Sequence, residues 1–93
     1  ASRPLAPARL AAKLAKSRLL RNPFSRFAWI RLGRGTALFV AGERFECPLA
    51  LAKALCADRE FDGVALARVA GKTGTATLAA LVDGGHLRLL RGR

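Results

Sequence analysis

A hairpin signal at the centre of this chain constrains its fold more than any other feature. FAWIRL (27–32) is rich in aromatic and branched side chains, with Phe27 and Trp29 on one face. Gly33-Arg34-Gly35 supplies the positive-φ positions of a tight turn, and TALFVA (36–41) returns as the partner strand. Gly42 punctuates again. Arg44, Phe45, Glu46 and Cys47 then alternate polar and apolar, which predicts a short half-buried strand with Phe45 and Cys47 inward. A three-stranded meander is the simplest reading.

Helical spacing takes over after the meander. Pro48 suits the first turn of a helix through Ala57, with Leu51, Ala52, Leu55 and Cys56 as its apolar stripe. Asp58-Arg59-Glu60 interrupts it, and Phe61 acts as a hydrophobic staple before an Asp62 N-cap. The next helix, Gly63 to about Ala70, buries Leu66, Val69 and Ala70. Residues 71–74 read as a loop, and Thr75 as the cap of a third helix through Val82, with Leu78, Leu81 and Val82 inward. Gly84-Gly85 turns the chain into a closing strand at His86 to Leu90. The order β-β-β-α-α-α-β describes an α+β winged helix-turn-helix, a β-meander followed by three short helices and a closing strand.

Charge separates what precedes it. The chain carries seventeen Lys and Arg against six Asp and Glu, a net charge of +11. Residues 1–31 hold Arg3, Arg9, Lys13, Lys16, Arg18, Arg21, Arg26 and Arg31 and no acid. Pro7 begins a helix predicted to run from Ala8 to about Arg21, with Leu10, Leu14 and Ala15 on one face toward Leu19, and Arg9, Lys13 and Lys16 alongside. Asn22-Pro23 ends it. This divides the chain into a basic arm and amphipathic helix (1–26) and a winged-helix domain (27–93). A nucleic-acid arm, an organelle-targeting presequence, a docking helix for another subunit and a solvated helix packing its leucines on the domain all fit that composition.

Several chemistries are excluded by counting. Ninety-three residues allow one domain. Lys or Arg interrupts every apolar stretch before the length of a membrane-spanning helix is reached. One histidine, His86, and two cysteines, Cys47 and Cys56, cannot close a structural zinc site. The cysteines read as buried free thiols, which places the chain in the cytoplasm. His86 reads as a turn-edge residue. Asp58, Glu60 and Asp62 lack the other oxygen ligands of a cation loop. Gly71-Lys72-Thr73 resembles a phosphate loop, but Leu66 stands where its first glycine is required. No catalytic, cofactor-binding or metal-binding residue is assigned. The aromatic residues Phe24, Phe27, Trp29, Phe39, Phe45 and Phe61 are assigned to the core, although stacking platforms for single-stranded bases use the same types. Arg9, Lys13, Lys16, Arg18, Arg68 and Lys72 are the candidate polyanion-binding residues. Read as a duplex-binding helix, 63–70 offers base edges only Arg68, with Lys72, Thr73 and Thr75 just beyond.

RNPFSRFAWIRL (21–32), ALFVAGERFECP (37–48), LALAKALCADREFD (49–62) and LAALVDGGHLRL (78–89) resemble the C-terminal winged-helix region of bacterial JmjC/cupin-type ribosomal oxygenases, of the RoxA-like kind. The SRFAW run, the LFV-x-G-E hairpin and the LC-x4-FD helix ending carry the resemblance, over about two-thirds of the chain. It implies a parent dioxygenase whose cupin barrel binds Fe(II) and 2-oxoglutarate and hydroxylates a ribosomal protein. It also implies a homodimer, with Pro7 to Arg21 as the end of the dimerisation segment. The family's His-x-Asp…His iron ligands have no counterpart here, so Fe(II) and 2-oxoglutarate are expected in a catalytic domain outside this chain. The absence of methionine fits a tail domain separated from its enzyme. A ribosomal protein, or a ribosomal RNA-protein surface, is the expected partner, with nucleic acid contact an open alternative and no membrane. The rival reading is a free-standing basic winged-helix DNA-binding protein.

Overall fold

The computed structural model of the chain describes residues 6–33 and 35–91. Nine elements follow in order: α1 (Pro7–Leu14), β1 (Ser17–Arg21), β2 (Phe27–Leu32), β3 (Gly35–Val40), β4 (Glu43–Glu46), α2 (Leu49–Ala57), β5 (Glu60–Asp62), α3 (Gly63–Asp83) and β6 (Leu87–Arg91). They form two antiparallel three-stranded sheets, ordered β5-β1-β6 and β2-β3-β4. The second is the expected meander. Its register places Trp29 beside Leu38 and Leu38 beside Phe45, and this face packs toward α2.

The first sheet corrects the sequence reading. The helix predicted to reach Arg21 ends at Leu14, Ala15 is exposed, and Ser17–Arg21 is the middle strand between β5 and β6. Local propensity favours helix across AKSRLLR, but propensity is a weak prior against tertiary pairing. A central strand saturates its backbone donors and acceptors on both edges, and β5 and β6 have no other neighbour. Strand period then turns Leu19 inward with Phe61 and Leu87, while Arg18 and Leu20 share the opposite face with Arg88. The three-residue strand β5 is likewise absent from the sequence reading.

α2 forms as expected, with Pro48 just ahead of it and Leu51, Ala52 and Leu55 fully buried; Cys56 is half-buried. Asp62 caps α3 by accepting a hydrogen bond from the Ala65 amide at 3.0 Å. Such a cap is worth about 1 kcal/mol. The predicted loop at 71–74 is a kink: only Gly71 leaves helical geometry, at φ 62° and ψ −165°, a region essentially restricted to glycine. Thr75 therefore lies inside the helix, where its hydroxyl donates back to the Gly71 carbonyl at 2.6 Å instead of capping a new one. Leu66 and Ala70 before the kink, and Leu78 and Leu81 after it, reach one continuous core. The closing strand starts one residue later than predicted, because His86 occupies the turn before it.

α1 is fastened to α3 by backbone contact. A Cβ added at Gly63 would stand 2.0 Å from the Leu14 carbonyl oxygen and 2.5 Å from that of Ser17. Neither carbonyl belongs to a flexible side chain, so no rotamer relieves the clash. Gly63→Ala should cost at least about 2 kcal/mol, in the upper range of overpacking substitutions. A urea midpoint unchanged from the parent would contradict this packing.

Candidate functional site

α1 has two faces with different tasks. Leu10 and Leu14 are buried, while Arg9 and Lys13, four positions apart, stand in solvent on the other side. Lys13 lies in the last turn, where the helix dipole favours a cation, and the turn that follows places Lys16 in solvent too. No carboxylate among the described residues pairs with these three. They form one cationic strip along α1 and its exit turn.

The other candidates are distributed differently. Arg18 is exposed on the outer face of the first sheet, but it is ion-paired with Glu60, one diagonal away across the β1–β5 ladder. Its charge is thereby balanced locally, although such an exposed pair adds little stability. Arg68 and Lys72 are exposed on α3, unpaired with any described carboxylate, with the Gly71 kink between them. They do not share one uninterrupted helical face.

The remaining polar residues have structural tasks that the sequence did not announce. Arg21 donates from Nη1 to the Leu55 carbonyl at 3.2 Å and the Asp58 carbonyl at 3.1 Å, closing the C-terminal end of α2. Its guanidinium also lies 4.4 Å from the centre of the Phe27 ring. Nothing in the sequence links positions 34 and 37 residues apart. His86, read as a turn-edge residue, does sit in a turn but is buried there. Its Nδ1 shares a 2.8 Å hydrogen bond with Ser25 Oγ, and its Nε2 stands 3.4 Å from Glu43 Oε1. Phe24, assigned to the core, is 92% exposed. The Asn22-Pro23 turn signal marks the place: in this turn Ser25 points inward to His86 and Phe24 points out to solvent.

These residues do not fit an iron site. Both ring nitrogens of the single histidine face protein groups, and no three His, Cys, Asp or Glu side chains converge among the described residues. Glu60 is held by Arg18 and Asp62 by the start of α3.

The ROXA-like winged helix family model matches residues 2–88. The chain belongs to that family. The described residues combine three helices with two small antiparallel sheets, and the α+β winged-helix reading of the sequence holds. The fold is similar to that of YcfD, a ribosomal oxygenase from Escherichia coli, at 22% identity and a TM-score of 0.74. Structures of YcfD with cobalt and succinic acid, and with cobalt and 2-oxoglutarate, give 21% and 0.72, and 23% and 0.65. Each comparison covers 96% of this chain and 24% of the YcfD chain. The chain thus spans about a quarter of the length of these solved relatives. No curated protein sequence matches it. No helix among the described residues is long and apolar enough to cross a membrane.

Both cysteines of this ROXA-like winged helix are free thiols. Burial pushes the Cys47 thiol above its usual 9.0, and the neighbouring Cys56 adds to the effect. Burial also raises Cys56, with the Arg21 guanidinium acting in the opposite direction. A raised folded-state value means that the folded chain holds its thiol protons when the unfolded chain has begun to lose them. Unfolding free energy should therefore fall as pH rises past 9.0 and be indifferent to the thiols below it. Urea titrations across that range, repeated on C47A/C56A, isolate the slope; an unchanged slope in the double variant would exclude the thiols as its source.

Proposed function

We propose that this chain is the non-catalytic winged-helix part of a 2-oxoglutarate/Fe(II)-dependent ribosomal-protein hydroxylase, and that its basic surface supports docking of subunit or substrate. The family match and the likeness to YcfD support the parent class. In that reading the catalytic barrel, with its iron and 2-oxoglutarate, lies in another part of a longer polypeptide. The parent is a cytoplasmic homodimer, and its target is a ribosomal protein carried among RNA phosphates.

One observation carries the docking role. Arg9 and Lys13 on the outward side of a helix whose apolar side is consumed by the core, and Lys16 in its exit turn, pair with no carboxylate among the described residues. Such charges attract phosphates without reading sequence. Arg68 and Lys72 extend the field onto α3, whereas Arg18 contributes less because Glu60 faces it.

The duplex-reading alternative is less well supported. A recognition helix contacts bases through its N-terminal residues. Here the start of α3 lies against the Leu14 and Ser17 carbonyls, and its exposed face before the kink presents Val64, Ala65 and Arg68.

Docking through the α1 strip has a salt signature. Binding of the chain to ribosomal RNA-protein particles should weaken linearly in log–log against salt, and R9E/K13E/K16E should reduce that slope by about 2–3, at roughly 0.7–0.9 per phosphate contact. Fluorescence anisotropy at four salt concentrations provides the measurement. An unaltered slope in the triple variant would remove α1 from the interface.

A further inference from the structure

We propose that the turn between β1 and β2 is a base-stacking site for single-stranded nucleic acid, with Phe24 as the stacking ring and Arg59, Arg88 and Arg26 as phosphate partners. An exposed phenylalanine alone needs no explanation. This one is presented by an ordered turn beside a recess with cationic neighbours.

The turn is fastened from both sides. The Phe24 amide donates to Asn22 Oδ1 at 2.9 Å, and the Ser25 amide donates to the Asn22 carbonyl at 3.0 Å. Asn22 is itself anchored: its side-chain amide donates to the Gly85 carbonyl at 3.0 Å and its backbone amide to the His86 carbonyl at 2.9 Å. The Ser25–His86 hydrogen bond closes the far end. These contacts fix the backbone on either side of Phe24 while leaving its ring 92% exposed. The backbone of the turn is already ordered, so stacking on Phe24 has only the rotamers of that one side chain to fix.

The surroundings select the ligand. Beside the turn is a recess of about 310 Å³ lined by Leu20, Arg21, Asn22, Pro23 and Arg59. Leu20 and Pro23 give it apolar surface for a flat, uncharged face, beside the polar Arg21, Asn22 and Arg59. Arg88 lies directly across from Leu20 in the β1–β6 ladder, on the same sheet face, and Arg26 follows the turn; both are exposed. None of Arg26, Arg59 and Arg88 pairs with a described carboxylate. Of the nearby acids, Glu60 is held by Arg18 and Asp58 stays exposed before Arg59. Planar bases joined by phosphates match a ring, an apolar recess and unpaired guanidinium groups. A duplex does not, because its bases are already stacked.

This site is separate from the α1 strip and does not rest on the docking reading. The test is fluorescence anisotropy of the 93-residue chain with a labelled twelve-nucleotide oligoadenylate and with an abasic oligomer of the same length. Phe24→Ala should weaken oligoadenylate binding about 5- to 160-fold, the range of base–aromatic stacking measured by alanine substitution, while Phe24→Trp restores it. The abasic oligomer should bind parent and Phe24→Ala alike, and circular dichroism should show both folded. Oligoadenylate binding within twofold of the parent after Phe24→Ala, equal affinity for the abasic oligomer, or no oligonucleotide binding at all would overturn the proposal. R9E/K13E/K16E should lower affinity for both oligomers by the same factor, so either surface can fail while the other stands.

Discussion

The close approach of α1 and its exit turn to the start of α3 is the contact on which the rest of the molecule depends. At Gly63 the backbones meet without room for a Cβ, and the Leu14 and Ser17 carbonyls occupy that space. This contact sets where the chain leaves α1 and therefore where β1 begins. Once β1 is placed, β5 and β6 acquire the strand between them, and Leu19, Phe61 and Leu87 close one side of the core. Burial of Leu10, Leu14 and Leu19 then contributes about 1.5–3 kcal/mol each. A domain of this size has a narrow margin, so those three side chains matter to its existence.

The same contact determines the electrostatics. With its leucines in the core, α1 has one orientation, and Arg9 and Lys13 must face outward. A +11 chain repels itself, and leaving cations unpaired on one strip keeps that repulsion available for a polyanion instead of relieving it with local acids. Arg18 and Arg21 show the contrast: one meets Glu60, and the other is committed to the carbonyls of Leu55 and Asp58. Position in the sheet, not charge count, separates the cations open to a partner from those that hold the fold.

Periodicity and punctuation made much of this legible. The β2–β3 hairpin, the short strand β4, the helix after Pro48 and the Asp62 cap each depend on neighbours within a few residues, so their signals are local. β1 was hidden because Ser17–Arg21 is acceptable as helix and becomes a strand only through partners some forty and seventy residues away. The kink at Gly71 reads as a loop from sequence alone, since glycine signals an interruption but not how quickly the helix resumes. Among the candidate cations, exposure was readable from type and spacing, but the Arg18–Glu60 pair was not, because it needs the strand register. Phe24 and His86 depart from the average link between hydrophobicity and burial: Phe24 points out of its turn, while His86 keeps its turn position and is buried there by bonds to Ser25 and Glu43.

Whether residues 7–21 are integral to the domain is the question underlying the function as well as the fold, because a separable arm would not hold its cations in one orientation. Native-state hydrogen exchange resolves it directly. The amides of Leu10, Leu14 and Leu19 should open with the same free energy as those of Leu78 and Leu81, as parts of one cooperative unit. Exchange through residues 7–21 at a much lower free energy than through α3 would contradict the account.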